Sequence, residues 1–521
     1  MSTPSPLPFV DLWDVPFTVS GSRFLLRDVD GELGIYYVRY EVPLADCLIA
    51  TLPKQNIEDG LQVGLGGVRC RDWSAMILGD EVRIQSTAVA PSFDDEVAER
   101  GCEVVRRNGG WVIRSSHTAA SVLSDADFVA AANRVMEQWM DRCPQVLPQR
   151  EEMARQCWWV LGGNIVDLTM PNGETARGVV PSKVGYVGVW QWDAYFIALG
   201  LRHGDPALAA EQIDIAFTPA PDGQLPDVVH EAGILASSED LPASDIKTLH
   251  AKSKTDTDLV VPLTKPPLAA WAARRVLDYL DEDEAATLWR RWKPIVLASQ
   301  EWWLRYGAGE PPRYEHPYSS GLDDSPVFDA GGAVVSPDLL AYLIVQQELL
   351  DDSVSSRAGT EIRKQLEDLW DERFQTYLPQ HLDRKPITHY TVLSLLALFA
   401  GRLPQQHLDQ IVGALKDPGR FASEWPLPTV SMSDPQFDPE EMWRGPTWVN
   451  TTYLVAEGLE LCGLPDLAKN LRSKTLNGVE QAGGPVEHWN PLTGMRARTA
   501  TVSFGWSAAL YVDLAVREYK G

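Results

Sequence analysis

Alternating apolar and polar residues characterise the first part of the chain. The period of two is clear in GSRFLLRDVDGELGIYYVRYEV, AMILGDEVRIQSTAVA and CEVVRRNGGWVIRSS, and it is typical of strands with one buried face. The tripeptides DGE, GDE and NGG interrupt these segments in the way that hairpin turns do. Residues 1–122 are therefore predicted to form an antiparallel β-sandwich domain.

A helical pattern replaces the alternation at Ser124. The segment SDADFVAAANRVMEQWMDRC starts with a serine that can cap a helix, and Asp127 follows at the third helical position. This is the arrangement of a capping box. Apolar residues then recur at helical spacing as far as Pro144. We expect a linker helix here, within residues 123–148.

Residues 149–521 repeat the helical spacing many times. Twelve helices are predicted, over 149–162, 190–201, 205–217, 267–280, 285–306, 336–350, 356–376, 388–402, 405–416, 443–462, 465–479 and 504–519. Helices with one apolar face each can close into an inner and an outer ring. No fixed sequence period repeats, which argues against a stacked solenoid. The expectation is a mainly α protein, with an (α/α)6 toroid barrel behind the β-sandwich.

Four long segments lack a helical pattern: 163–189, 218–262, 307–333 and 417–442. Long irregular loops in compact domains are usually functional. We therefore expect the chemistry of the protein to lie in or beside these segments.

Composition narrows the functional classes. With 72 acidic and 46 basic residues the formal net charge is −26, which repels nucleic acids and anionic membrane surfaces. The longest apolar runs, such as 339–345, are too short for a membrane span, and six scattered cysteines show no metal-ligand spacing. The first residues lack the basic and apolar regions of a leader peptide. We expect a cytoplasmic protein with free thiols and with no metal or cofactor.

Tryptophan is unusually frequent, with 19 residues and several close pairs. Most of these side chains must pack in the core. Aromatic faces also suit the C–H faces of sugar rings, so the excess is weak support for a carbohydrate pocket.

Two segments hold carboxylates in unusual settings. In YSSGLDDSP, Asp323 and Asp324 stand in a helix-poor loop, where an Asx-turn or a helix cap would also explain them. In GGPVEHWNPLTG, Glu487 stands between a Gly-Gly-Pro turn and the pair His488 and Trp489. Such neighbours restrict water and can raise the pKa of a carboxyl group.

Two further segments place polar residues among tryptophans. WQWDAY contains Asp193, and MWRGPTW contains Arg444. Both residues begin predicted helices, and a few polar groups among aromatic side chains are a common composition of sugar pockets. Each residue alone could instead belong to a buried ion pair.

Taken in order, these segments resemble glycoside hydrolase family 63 and its relatives among the trehalases. The family motifs WxWD, GxDNSP, WRGPxW, ExxxPxTG and FxWS stand here at 190–193, 321–326, 443–448, 487–494 and 504–507. The segment 264–267, TKPP, is similar to a family segment usually read as TQPP or SQPP. Several ordered matches are specific in a way that one match is not.

The resemblance implies an inverting hydrolase of α-glycosidic bonds, with Asp323 as general acid and Glu487 as general base. Inversion needs the two carboxyl groups roughly 6.5–9.5 Å apart, with a water molecule between base and sugar. Asp193 would bind hydroxyls of the sugar in the −1 subsite, and Arg444 would line the pocket. The full predicted substrate-binding set is Trp190, Trp192, Asp193, Lys265, Gly321, Asp324, Trp443, Arg444, Trp448, His488, Trp489 and Trp506.

The chain departs from the family pattern at three positions. Ser319 replaces a frequent glutamate, and Asp324 replaces the usual asparagine. A second carboxylate raises the pKa of one of the two aspartates and leaves open which is the acid. Lys265 replaces the usual glutamine, at a predicted helix N-terminus where an ammonium is unfavourable. It is expected either to form a salt bridge with a nearby acid such as Asp324 or Glu315, or to contact an anionic aglycone such as glycerate.

Other functions remain open on the sequence. A sugar epimerase or isomerase would need paired histidines in the bowl, and a glycoside phosphorylase would need a phosphate-binding cluster. A non-catalytic carbohydrate-binding protein is the third alternative. The expected partner is a small-molecule carbohydrate, most simply an α-glucoside or a small glycoside such as glucosylglycerate, with mannose as the second choice of donor sugar. The oligomeric state is not set by the sequence.

Overall fold

Two antiparallel sheets form the first part of the structure, a computed structural model that describes residues 7–53, 61–86, 89–107, 109–170, 173–218, 222–306, 310–351 and 357–521. The strands are β1 Phe24–Val29, β2 Glu32–Tyr37, β3 Leu48–Pro53, β4 Gln62–Val63, β5 Gly67–Arg69, β6 Trp73–Leu78, β7 Glu81–Ser86, β8 Ser92–Phe93, β9 Cys102–Arg107 and β10 Gly110–Ser115. One sheet has the order β1-β2-β3-β8, and the other has the order β4-β5-β6-β7-β10-β9.

The predicted hairpins are confirmed. Asp30 and Gly31 join β1 to β2 with φ angles of 50° and 86°, as a two-residue turn of this kind requires. Gly79 and Asp80 join β6 to β7. Strand β9 pairs with β10, although Asn108 of the NGG turn lies outside the described residues.

Helix α1, Asp125–Met140, connects the sheets to the helical part. The Ser124 side chain accepts a hydrogen bond from the Asp127 N–H, so the predicted cap is confirmed. Helix α1 packs against β6 and against helix α2, Glu151–Gly163. The Trp139 and Trp158 rings stack at 4.7 Å, and each indole N–H donates to the other residue's carbonyl.

The helices that follow are α3 Gln191–Leu201, α4 Pro206–Ala216, α5 Ala243–Lys252, α6 Ala269–Leu277, α7 Glu282–Trp303, α8 Pro337–Asp351, α9 Arg357–Glu367, α10 Val392–Leu395, α11 Gln405–Lys416, α12 Val449–Leu461, α13 Pro465–Gln481 and α14 Gly505–Lys520. Most of the predicted spans contain a helix that ends within a few residues of the expected bounds. None of the helices in the described part of the chain has the length and apolar character needed to cross a bilayer.

Two predicted helices are shorter than expected. The span 356–376 stops at Glu367, and a hairpin of Trp370–Asp371 with Thr376–Tyr377 follows. The Asp371 carboxylate accepts hydrogen bonds from two backbone N–H groups of its own turn, which competes with helix formation. The span 388–402 becomes helical only at Val392 and continues as a 3-10 helix from Leu396.

Two further differences concern the loops. The span predicted at 443–462 becomes α-helical only at Val449, because Pro446 lacks an N–H and follows Gly445 at a φ of 167°. Helix α5 lies inside 218–262, which had no helical pattern. Among its residues only Leu249 is buried, so the apolar signal that identifies amphipathic helices is weak there.

Helix contacts run from α3 to α6, then to α8, the 3-10 segment Leu396–Ala400, α12 and α14, and from α14 back to α3. Helices α2, α4, α7, α9 and α13 pack against members of this series. The helices of the series are mostly buried along their length, as α3 and α12 illustrate.

Asp513 ties three neighbouring helices together. Its carboxylate accepts hydrogen bonds from Arg202, after α3, and from Tyr453 on α12, at 2.6 and 2.8 Å. The side chain is fully buried. Burial alone would raise the pKa of Asp513, but Arg202, His203 and Arg517 outweigh it and hold the pKa well below its usual range. The carboxylate therefore stays ionised and fixes α14 against its neighbours.

Candidate active site

One pocket collects residues that lie far apart in the sequence. It opens where helices α3, α12 and α14 begin. Its lining consists of Pro181, Tyr186, Trp190, Trp192, Asp193, Lys265, Gly321, Asp323, Met442, Trp443, Trp448, Glu487, Phe504 and Trp506. Most of the predicted site residues are thus brought together.

Asp323 reaches the pocket from a tightly turned loop. The 3-10 turn Pro317–Ser320 ends at Gly321, whose φ is +74°. A Cβ atom on Gly321 would lie 2.3 Å from the Trp192 ring, so glycine is required for the loop to pass over that indole. The loop thereby places the Asp323 carboxyl in the pocket.

The Asp323 carboxyl is kept neutral. Burial raises its pKa to about 8, with Asp227 and Asp324 adding to the rise and Lys265 opposing it. Its Oδ1 atom is buried and has no hydrogen-bond partner among the described residues. Buried polar atoms are rarely left unpaired in the absence of a functional reason.

Glu487 approaches from a second loop. Its Oε2 atom accepts a hydrogen bond of 2.9 Å from the Thr501 N–H, and its own N–H donates to the Thr501 carbonyl. Burial raises the pKa of Glu487 to about 7, and hydrogen bonds from Thr501 and Tyr186 limit the rise. This carboxyl is therefore held in place and can be ionised near neutral pH.

Asp193 lies in the first turn of α3 and is almost fully buried. Burial raises the pKa of Asp193 well above its usual value, although Lys265 opposes the rise.

Lys265 forms a buried ion pair with an acid, as one of its two expected roles requires, but the acid is Asp227. Its Nζ atom lies 2.8 Å from Asp227 Oδ1 and donates to the Tyr318 carbonyl at 2.7 Å. Burial acts to lower the pKa of Lys265, but Asp227 and Asp323 outweigh it and the pKa is raised. The expected pairing with Asp324 or Glu315 is wrong, because Asp227 takes that role and Glu315 pairs with Arg305.

Tryptophans form much of the wall. Trp443 and Trp448 stack with ring centroids 3.6 Å apart, and Trp506 meets Trp192 edge-on at 5.3 Å. The Trp506 indole N–H is buried without a hydrogen-bond partner among the described residues. The wall thus combines apolar ring faces with a hydrogen-bond donor that is unpaired in the described part of the chain, the indole N–H of Trp506.

Asp324 and Arg444 do not line the pocket. Asp324 Oδ1 accepts a 2.8 Å hydrogen bond from the Trp443 N–H. Arg444 lies 3.9 Å from the other oxygen of Asp324 and donates to Asp329. Of the two adjacent aspartates, Asp323 is the one that faces the pocket, and Asp324 holds Trp443 from behind.

His488 and Trp489 also lie behind the wall. His488 stacks on Trp448 at 4.4 Å, and burial lowers its pKa to about 3, so its ring is neutral. Trp489 is fully buried and donates its indole N–H to the Trp425 carbonyl. Both support the wall and do not reach the pocket.

Several lining residues were not predicted as site residues. Tyr186 hydrogen-bonds Glu487, and Phe504 meets Trp506 at 5.1 Å. Phe504 belongs to the FxWS motif, so the motif could have identified it as a site residue. Tyr186 lies in a segment without periodicity, and its only signal was its position four residues before Trp190.

A larger surface cavity, of about 790 Å³, lies elsewhere. Glu310, Arg313, Lys364 and Arg384 are among its lining residues. It contains none of the motif residues. The candidate site is therefore identified by the chemistry of its lining residues and not by the size of its cavity. The described residues hold no group of three side chains arranged to bind a metal ion.

The chain is similar to known glycoside hydrolases. A family model for the mannosylglycerate hydrolase MGH1-like glycoside hydrolase domain matches residues 186–357 and 340–507. A mannosylglycerate hydrolase of Thermus thermophilus is 28% identical over 406 residues, covering 64% of this chain and 95% of its own. A glucosylglycerate hydrolase of Mycolicibacterium hassiacum is 24% identical over 420 residues, covering 63% and 92%.

A solved structure has the same fold. The family 63 mannosylglycerate hydrolase of Thermus thermophilus in complex with glucose superposes with a TM-score of 0.56 at 24% identity, covering 69% of this chain and 98% of that one. The family match defines the protein as a glycoside hydrolase. The chain belongs to glycoside hydrolase family 63, with the MGH1-like enzymes.

Gly321 provides a test of the loop geometry. Gly321→Ala should lower kcat by more than about tenfold, because its Cβ would displace the Trp192 ring or the loop that carries Asp323. Gly332→Ala is the matched control. Its φ is +80° and nothing lies within 4 Å of its Cβ, so it should cost only the left-handed backbone strain of about 1–2 kcal/mol. Thermal melts and kcat of both variants separate backbone strain from the clash with Trp192. Equal kcat values in the two variants would show that the close approach of Gly321 to Trp192 does not matter for activity.

Proposed function

We propose that this protein hydrolyses α-glycosidic bonds of small glycosides with inversion at the anomeric carbon. Asp323 is the general acid and Glu487 is the general base. The observation that carries the proposal is that two carboxyls with raised pKa values, from loops 164 positions apart, line one aromatic pocket.

The reaction follows from the two protonation states. Asp323, protonated at neutral pH, donates its proton to the glycosidic oxygen as the bond to the anomeric carbon breaks. Glu487, ionised, takes a proton from a water molecule that attacks the opposite face of that carbon. The aglycone leaves with the Asp323 proton, and the sugar is released with inverted configuration. No cofactor is needed for these steps.

The remaining pocket residues bind the sugar in the −1 subsite. Asp193 accepts hydrogen bonds from hydroxyls, Trp506 donates from its indole, and the other tryptophans contact the apolar face of the ring. The names of the relatives indicate hexosyl glycosides, with glucose or mannose as the donor sugar. The lining residues are held in position by four residues that lie behind the wall: Asp324, Arg444, His488 and Trp489.

We also propose the finer architecture. The series of helix contacts from α3 back to α3 is the inner ring of an (α/α)6 toroid over 149–521. Residues 1–122 form the β-sandwich domain, and 123–148 hold the linker helix. The six cysteines are unpaired, as in proteins of reducing compartments, and we place the enzyme in the cytoplasm.

The two alternative enzyme classes lack the groups they need in this pocket. An epimerase would use paired histidines, but no histidine is among the lining residues. A phosphorylase would need free cations for phosphate, but Lys265 is the cation of this lining and is bound to Asp227.

Substitution of the two carboxyls tests the roles directly. Asp323→Asn and Glu487→Gln should each lower kcat by about 10²–10⁴-fold, because each removes a proton transfer from the transition state. Asp324→Asn is the matched control. Asparagine can still accept the Trp443 N–H bond, so this variant should keep more than about a tenth of the wild-type rate. Hydrolysis of a panel of α-glucosides and α-mannosides, followed by released hexose, is the measurement. A larger loss of kcat in Asp324→Asn than in Asp323→Asn would assign the role of general acid to Asp324 instead.

The pH profile supplies a second test. Glu487 must be ionised, so kcat/KM should fall as the pH drops below about 7. Asp323 must be protonated, so kcat/KM should also fall as the pH rises above about 8. Asp324→Asn removes a negative charge beside Asp323 and should move the alkaline limb to lower pH. An alkaline limb that shifts upward in this variant would contradict the assigned electrostatics.

A further inference from the structure

Tyr40, in the sheet-forming part of the chain, packs against a residue that lines the active-site pocket. It lies in the connection between β2 and β3, well before the residues that the family model matches. Its ring stacks on His230 with centroids 3.9 Å apart and an interplanar angle of 6°. It also lies 5.9 Å from the ring of Trp190, which lines the pocket.

The position of Tyr40 is fixed by close contacts. Its backbone N–H donates to Glu231 Oε1 at 2.8 Å. A Cβ atom on Gly188 would lie 3.0 Å from the Tyr40 ring, so the ring packs directly on that glycine. Tyr40, Trp190 and Tyr318 pack against one apolar cluster, which consists of Val228, Leu235, Leu241 and Leu263. These partly exposed rings form a rigid aromatic surface beside the pocket.

This surface lies on the side of the general acid. Tyr318 is five positions before Asp323, and the Asp323 carboxyl is near enough to raise the pKa of the Tyr318 hydroxyl further, beyond the effect of burial. Lys265, which lines the pocket, donates to the Tyr318 carbonyl. Since Asp323 protonates the leaving oxygen, the aglycone must lie on this side.

Four carboxyl groups lie near enough to Tyr40 to act on its hydroxyl. Burial raises the pKa of the Tyr40 hydroxyl, and the carboxylates of Glu41, Asp227, Asp245 and Glu231 raise it further. Two of these carboxylates pair with nearby cations. Arg23 lies 3.6 Å from Glu231, and Lys265 lies 2.8 Å from Asp227. A carboxylate on the aglycone would be repelled here, whereas a neutral ring can stack on the aromatic faces.

Resting on the proposed function, we infer that Tyr40 and Tyr318 form the leaving-group subsite, and that this subsite takes a neutral polyhydroxylated aglycone, such as a second sugar ring, in preference to a carboxylate-bearing one. Tyr40 thus makes the sheet-forming part of the chain a determinant of substrate specificity.

The role of Tyr40 is tested with two substrates of the same hexose. An α-linked disaccharide occupies the leaving-group subsite, whereas the α-glycosyl fluoride does not. Tyr40→Ala should lower kcat/KM for the disaccharide about tenfold and change it for the fluoride by less than about twofold. Tyr40→Phe keeps the ring and should behave as wild type on both.

Each outcome of this experiment decides one point. Equal losses on both substrates in Tyr40→Ala would assign Tyr40 a structural role and overturn the inference. No loss on either substrate would also overturn it. Failure of the wild-type enzyme to hydrolyse both substrates would refute the proposed function itself.

The charge preference is tested with a matched pair of aglycones. α-Glycosylglycerol carries a neutral alcohol at the position where α-glycosylglycerate carries a carboxylate. Wild type should prefer the glycerol compound by about tenfold in kcat/KM at low salt. Glu41→Gln/Asp245→Asn should narrow this ratio. Asp30→Asn/Glu32→Gln, which removes the same charge at the β1–β2 turn, should leave it unchanged. A wild-type preference for the glycerate compound would overturn the inference.

Discussion

The desolvation of carboxyl groups is the constraint on which the active site depends. Asp193, Asp323 and Glu487 share one pocket whose walls are mainly tryptophan, tyrosine and phenylalanine. Burial is the first cause of the raised pKa in all three. In the proposed reaction, the same apolar wall contacts the sugar and keeps the general acid protonated.

The fold brings three helix N-termini to this desolvated pocket. Helices α3, α12 and α14 all begin there, and the positive end of a helix favours the ionised form of a nearby carboxyl group, which opposes part of the effect of burial. Asp324 holds Trp443, His488 backs Trp448, and Thr501 orients Glu487. Behind them Asp513 locks α14 to its neighbours. The lining residues thus rest on buried, hydrogen-bonded supports, which fix the positions of the two carboxyl groups in the pocket.

The sequence predicted the motif residues better than their partners. Asp323, Glu487, Asp193 and the tryptophans at 192, 443, 448 and 506 could be identified because ordered motifs mark them. Asp227, Tyr186 and Tyr40 could not, because they lie in irregular segments and meet the site only through tertiary packing. Some predicted helix bounds were wrong because local structure overrides helical periodicity. The turn at Asp371 and the Gly445-Pro446 pair are the two examples.

The stereochemistry of the first product tests the central claim most directly. Proton NMR should follow hydrolysis of an α-linked substrate from its first turnovers, before mutarotation mixes the anomers. Two carboxyls that act as acid and base, with water as the nucleophile, predict that the β-anomer accumulates first. Initial release of the α-anomer would mean retention through a covalent intermediate, and would contradict the roles assigned to Asp323 and Glu487.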